Sequence, residues 1–108
     1  KQGYYITARR FLDRYGEIDL VAVDQNTIVF VEVKARSRIK NSSPAESVGK
    51  EKQARIVRAS KRYLKQNHLT DCPTRFDVIA IVCSAPGARA VTAHYLHAFE
   101  PQASFEIF

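Results

Sequence analysis

The stretch Gly16-Glu17-Ile18-Asp19-Leu20-Val21-Ala22-Val23-Asp24-Gln25-Asn26-Thr27-Ile28-Val29-Phe30-Val31-Glu32-Val33-Lys34-Ala35-Arg36 carries both the fold and the chemistry of this chain. Two apolar-rich segments, Glu17 to Val23 and Ile28 to Ala35, flank the turn-prone Asp24-Gln25-Asn26-Thr27, the pattern of a β-hairpin. With Gln25 and Asn26 as the turn, Asp24 faces Thr27, Asp19 faces Glu32 and Glu17 faces Lys34. Side chains two apart share a face, so those last four project together from one end of the hairpin. Val21, Val23, Ile28 and Phe30 continue that face as core. A four-residue loop keeps this register; a three-residue loop shifts it by one unless a bulge restores it. The opposite face holds Ile18, Leu20, Ala22, Val29, Val31 and Val33. A strand pair that is apolar on both faces belongs inside a sheet.

Outward from the hairpin, Tyr4 to Phe11 is rich in aromatic and β-branched residues and reads as a preceding strand. Arg36 to Pro44 is a polar loop. A helix follows, starting between Pro44 and Lys50 and running to about Asn67. Ser43-Pro44-Ala45-Glu46 offers a capping box with proline at the first helical position, whereas Gly49 argues for a later start. Its apolar residues Ile56, Val57, Ala59, Ser60, Tyr63 and Leu64 keep helical spacing, and Arg58, Lys61, Arg62 and Lys65 form a basic stripe. Arg75 to Cys83 and Val91 to Leu96 read as two more strands, separated by the turn Ala85-Pro86-Gly87-Ala88. Strand, helix, strand implies a parallel crossover. The expected architecture is an α/β mixed sheet in the order β, β-hairpin, α, β, β, with 108 residues forming one domain.

Composition narrows the function. No run approaches the ~18 apolar residues of a membrane span, and no secretory leader is visible. Cys72 and Cys83 are too few and too isolated for a disulfide framework or a zinc site, so a reducing, cytoplasmic setting is expected. Net charge is +6, unevenly spread: Lys34 to Lys65 holds eleven Lys and Arg against Glu46 and Glu51, and the remainder is mildly acidic. A basic middle on an acidic body is the footprint of a phosphate-backbone binder, or else simply a solvated helix face.

Asp19 and Glu32, opposed across a hairpin, would lie about 4.5–5.5 Å apart at Cβ and repel when ionised. Such a pair in a half-buried place suits a hard divalent cation, Mg²⁺ or Mn²⁺, with water and phosphate oxygen filling the remaining positions. Lys34 would then orient or deprotonate the attacking water and offset charge on the phosphate. The competing reading is an ion-pair ladder, Glu17 with Lys34 and Asp19 with a basic residue such as Arg36. Glu17 is the further catalytic candidate, or a salt bridge that positions the lysine. Arg36 and Arg38 sit at the mouth of the site as phosphate contacts, and Lys52, Arg55, Arg58 and Lys61 would extend a DNA track along the helix. Asp77 reads as structural, bonded to an arginine; His68, His94 and His97 lack ligand spacing and read as surface or rim residues.

Gly16 to Ala22 and Val29 to Arg36, with Pro44, Glu46, Val48, Lys52-Gln53, Tyr63-Leu64, Arg75-Phe76-Asp77-Val78-Ile79-Ala80 and His97-Ala98-Phe99, resemble the YraN-type family of small bacterial proteins. That family is similar to archaeal Holliday-junction resolvases of the PD-(D/E)xK nuclease superfamily. The resemblance implies a restriction-endonuclease-like sheet, with Asp19 and Glu32 as metal-binding acids, Lys34 as the catalytic lysine and the Val33 carbonyl as a further ligand. Ile18 stands where the superfamily has its proline. Relatives carry a helix before Gly3-Tyr4-Tyr5-Ile6, often with an acidic residue facing the metal. Because the chain begins at Lys1 without methionine, the expectation is a piece lacking that leading helix. The expected function is Mg²⁺-dependent hydrolysis of phosphodiester bonds in DNA, branched or junction DNA included, with a homodimer by analogy to symmetric resolvases. The alternative is a catalytically inactive nucleic-acid-binding adaptor in repair or uptake. RNA is disfavoured by the lack of an aromatic stacking motif.

Overall fold

β-Branched and aromatic residues alternating along the first half of the chain build three consecutive strands: β1 (Tyr5–Asp13), β2 (Gly16–Asp24) and β3 (Thr27–Arg36). The computed structural model describes residues 5–13, 16–36, 48–82, 87, 89 and 91–100, with the side chains of Asp13, Arg36 and Val91 excepted. Helix α1 (Lys50–Gln66) follows, then β4 (Thr74–Val82) and β5 (Val91–Phe99). One five-stranded sheet results, in the order β1-β2-β3-β4-β5. β3 and β4 are parallel and every other neighbouring pair is antiparallel. This is the expected α/β, restriction-endonuclease-like mixed sheet, with α1 as the crossover between the parallel strands.

The hairpin has the expected register. Asp24 pairs with Thr27, Val23 with Ile28, Val21 with Phe30 and Leu20 with Val31. Gln25 takes the left-handed conformation that the two-residue turn requires (φ 58°). The helix takes the later of the two expected starts, with Gly49 as N-cap, and the segment Ser43 to Glu46 lies outside the described residues. So do the turn Ala85-Pro86 and the tail after Glu100.

The buried stripe of α1 (Gln53, Ile56, Val57, Ala59, Ser60, Tyr63, Leu64) packs on one face of the sheet against Ile18, Val21, Ile28, Phe30, Phe76 and Val78. Aromatic rings cross this core in sequence. Tyr63 meets Phe11 and Phe30 edge-on at 5.2 and 5.9 Å, and Phe76 stacks between Phe30 and Phe99 at 5.6 and 5.2 Å. Each such pair adds about 0.5–1.5 kcal/mol beyond its area burial. The Tyr63 hydroxyl shares a hydrogen bond with Thr7 Oγ1 (3.0 Å), which fastens the end of α1 to β1. Ala22, Val29 and Val31 form a second buried cluster on the other face, with Leu20, Val33 and Ile79 packed on it.

Ile18 corrects the expected face assignment. Spacing puts it with Leu20 and Ala22, yet it is buried with Val21 in the core beneath α1. Residues three apart share a face only where the pleat is interrupted. The partner strand shows the same interruption, since Ala8 and Phe11 both pack on that core and Arg10 between them is left-handed (φ 55°). Past this step β2 presents its even-numbered residues to the helix, and a Cβ at Gly16 would lie 3.5 Å from the Cβ of Arg55.

Candidate metal and phosphate site

At the interruption, Asp19 turns into the gap between β2 and β3. Its Oδ2 accepts a hydrogen bond from the Val33 backbone N–H at 2.8 Å. The paired ladder between the two strands ends one step earlier, at Leu20 and Val31. The carboxylate is thus held by the backbone of the strand that carries Glu32 and Lys34.

Glu32 is only 5% exposed. Its side chain is directed toward α1, where Lys52 Nζ lies 2.6 Å from Oε2. The Glu32 carboxyl is held above the ordinary value of 4.5, chiefly because burial disfavours the charged form. The Lys52 hydrogen bond opposes that rise, the negative charge of Asp19 adds to it, and Lys52 and Lys34 pull it down through space. Asp19, Glu32, Lys34 and Lys52 therefore share one electrostatic environment. The expected neighbourhood of Asp19, Glu32 and Lys34 is present, and it is built by a splayed hairpin end rather than by continued facing pairs.

Glu17 is a correction. The interrupted pleat places it on the face away from α1, whereas Lys34 shares the α1 face with Glu32. Its Oε2 accepts from Arg10 Nε at 3.0 Å, so the expected Glu17–Lys34 grouping does not form. Lys52 is the residue that sequence spacing placed only on a DNA track, yet its ammonium reaches the buried acid. Twenty positions separate Lys52 from Glu32, and only the docking of α1 joins them. Arg36 ends β3, with its side chain outside the described set, and Arg38 lies outside the described residues altogether.

The basic residues of α1 spread across its exposed arc. At ~100° per residue, Lys52 and Lys61 stand about 180° apart around the helix. Arg55, Arg58, Arg62 and Lys65 are exposed and fill the arc between them, Arg55 and Arg62 nearer Lys52 and Arg58 and Lys65 nearer Lys61.

A second polar group forms on β4, buried beside the Val29 and Val31 cluster. Asp77 is fully buried and accepts from Arg75 Nε at 3.0 and 3.2 Å and from the His97 N–H at 3.1 Å. His94 Nε2 lies 2.8 Å from its other oxygen contact, and Arg75 also bonds Asp24 at 2.9 Å. The expected arginine partner of Asp77 is present. His94, expected at the surface or rim, has its ring against this carboxylate. With four hydrogen-bond contacts satisfying it, Asp77 is a fastener between strands.

Among the described residues, no three His, Cys, Asp or Glu side chains converge as a metal cluster. Two carboxylates do converge, and their oxygens are the hard donors that Mg²⁺ or Mn²⁺ accepts, in a place where a cationic ammonium already sits. That donor set fits a divalent ion completed by backbone oxygen and water. Among the described residues no helix is long and apolar enough to cross a membrane.

Sheet order and site together define an α/β domain with a restriction-endonuclease-like mixed sheet. The profile described as Uncharacterised protein family UPF0102 matches residues 1–81, and the chain belongs to that family. A UPF0102 protein of Syntrophus aciditrophicus is 44% identical over 87 residues, covering 81% of this chain and 68% of that protein. One from Chlorobium limicola is 38% identical over 104 residues (91% and 79%), and one from Hahella chejuensis is 47% identical over 78 residues (72% and 63%).

Proposed function

We propose that this chain is a metal-dependent endonuclease that hydrolyses phosphodiester bonds in DNA, with branched or junction DNA as the favoured shape. The observation that carries the reading is the convergence of Asp19 and Glu32 with two lysines at the splayed end of the hairpin, beside an exposed basic helix flank. Asp19 and Glu32 would hold the metal. The Val33 N–H points toward β2, and in a strand the carbonyl of the same residue points to the same side, which supports its oxygen as a third donor. A bound Mg²⁺ supplies Lewis-acid polarisation of the phosphate and a more acidic water.

The protein's own residues do the rest. Lys34, two positions beyond Glu32 on the same face, orients the attacking water and offsets charge accumulating on the phosphate. Burial of Glu32 lowers the local dielectric, so these interactions act more strongly than in bulk water. Water attacks phosphorus in line, the opposite P–O bond breaks, and the leaving oxygen takes up a proton. Arg55 and Arg62, joined by Arg36 and Arg38 that follow Lys34 in the sequence, would grip the DNA backbone without reading bases.

A second reading, a binding adaptor without cleavage, is favoured by one observation: only two carboxylates converge among the described residues. Labelled four-way junction, flap, single-stranded and duplex DNA, incubated with Mg²⁺, Mn²⁺ or EDTA, separates the two. Metal-dependent cutting reduced at least 100-fold by Glu32→Gln, with DNA binding retained, is the expected result. Salt-sensitive binding without cutting in any metal would replace the nuclease by the adaptor.

A further inference from the structure

The ion pair between Lys52 and Glu32 is unequal in a way that bears on how a cation reaches the site. Glu32 is fixed on a central strand and 5% exposed, while the Lys52 side chain is 40% exposed on a flexible stem. The helix end that carries Lys52 is anchored independently of that stem. Gln53 Nε2 donates to the Val48 carbonyl at 2.7 Å, the Gln53 N–H donates to the Gly49 carbonyl at 2.8 Å, and Val48 and Ile56 are buried. Lys52 can therefore leave Glu32 by rotating its side chain, with α1 staying in place. A buried carboxylate cannot leave, and losing its cation without replacement is costly. The ammonium occupies Oε2, one of the two oxygens a divalent ion would use, and two cations on one carboxylate repel each other.

We propose that Lys52 is the resident counter-ion of the metal site: its ammonium neutralises Glu32 in the metal-free protein and is displaced by the incoming divalent cation. The inference rests on the metal-binding reading of Asp19 and Glu32 and assigns Lys52 a role that reading does not need. Lys52 thus lowers metal affinity when the protein is alone, because every bound cation must first break an ion pair. Lys52 is a positioning residue, acting on the metal through Glu32.

Mn²⁺ binding to the DNA-free protein, followed by electron paramagnetic resonance of the free ion, tests this directly. Lys52→Gln is expected to bind Mn²⁺ about tenfold more tightly than the parent chain, as loss of a competitor worth ~1.4 kcal/mol would give. Lys52→Arg, which keeps the charge, stays within about threefold of the parent. Glu32→Gln loses binding. Equal affinity in the parent and Lys52→Gln, with loss in Glu32→Gln, overturns the counter-ion role and leaves the metal site standing. Absence of Mn²⁺ binding in the parent and in Lys52→Gln overturns both. A measurement on the unmodified chain complements the variants: nitrogen-15 resonances of lysine side chains should show one slowly exchanging, paired ammonium that is released on saturation with Mg²⁺. Persistence of that paired signal in saturating Mg²⁺ also overturns the proposal.

Discussion

At the scale of single residues, Glu32 works against stability. Its carboxyl is held above the ordinary 4.5 by burial and by Asp19, in spite of both lysines. The folded state therefore binds the proton more tightly than the unfolded chain does, and the contribution of Glu32 to stability falls as pH rises through the folded-state value. That cost builds as pH rises from 4.5 through the folded-state value. In EDTA at pH 7, Glu32→Gln, which mimics the protonated form, is expected to melt at a higher temperature than the parent, and the gap should close in acid below 4.5. A lower melting temperature for the variant at pH 7 would contradict this electrostatic account. Stability sacrificed at a buried acid is the pattern of sites kept for ligand binding.

Among the elements, β4 pairs with β3 on one side and β5 on the other. Its Arg75 and Asp77 fasten three strands at once: Asp24 at the hairpin turn, Asp77 itself, and His94 with the His97 N–H on β5. The register between β4 and β5 slips between Phe76 and Val78, and His97 adopts a left-handed conformation (φ 51°) at that slip. The buried carboxylate satisfies the backbone amide that the slip leaves without a ladder partner. Replacing Asp77 by Ala would leave Arg75 and that amide in a buried place without their shared acceptor, at a cost of about 3–5 kcal/mol. Urea denaturation measures this, and a loss under ~1 kcal/mol would mean that water replaces the carboxylate without penalty. Asp77→Asn, which keeps an acceptor oxygen, should lose less than the alanine variant.

For the whole molecule, the question is where the positive charge lies rather than how much there is. Net charge is +6, and the Lys34 to Lys65 segment carries most of the Lys and Arg. Around α1 the cations fill the exposed arc, Arg55 and Arg62 nearer Lys52 and Arg58 and Lys65 nearer Lys61. Duplex-DNA affinity is expected to fall linearly with the logarithm of salt concentration, by about 0.9 for each phosphate contacted. Arg55→Ala and Arg62→Ala should each weaken binding to all sequences alike and reduce that slope by about one, with Lys61→Ala leaving it unchanged. A titration in which Lys61→Ala matters as much as Arg62→Ala would place the DNA across the outer face of α1 instead of along the site.

Strand and helix order, the hairpin register up to Leu20 and Val31, and the place of Asp19, Glu32 and Lys34 at that end of the hairpin are written in the sequence. These follow from local rules: a two-residue turn sets which residues pair, and alternation of Val, Ile and Phe sets which faces are apolar. Glu17 and Ile18 escape the sequence pattern because strict alternation cannot foresee a pleat interrupted on two strands together, beside the left-handed Arg10 on β1 and before Leu20 on β2. His94 and Lys52 had no local signal. His94 finds Asp77 only through the pairing of β4 with β5, and Lys52 finds Glu32 only when Ile56, Val57 and Tyr63 seat α1 on the sheet. The chain chooses its pairings over short distances, where turn geometry is decisive. The partner of a buried charge is chosen by packing, which brings together residues twenty positions apart and leaves the carboxylate one cation to take in place of water.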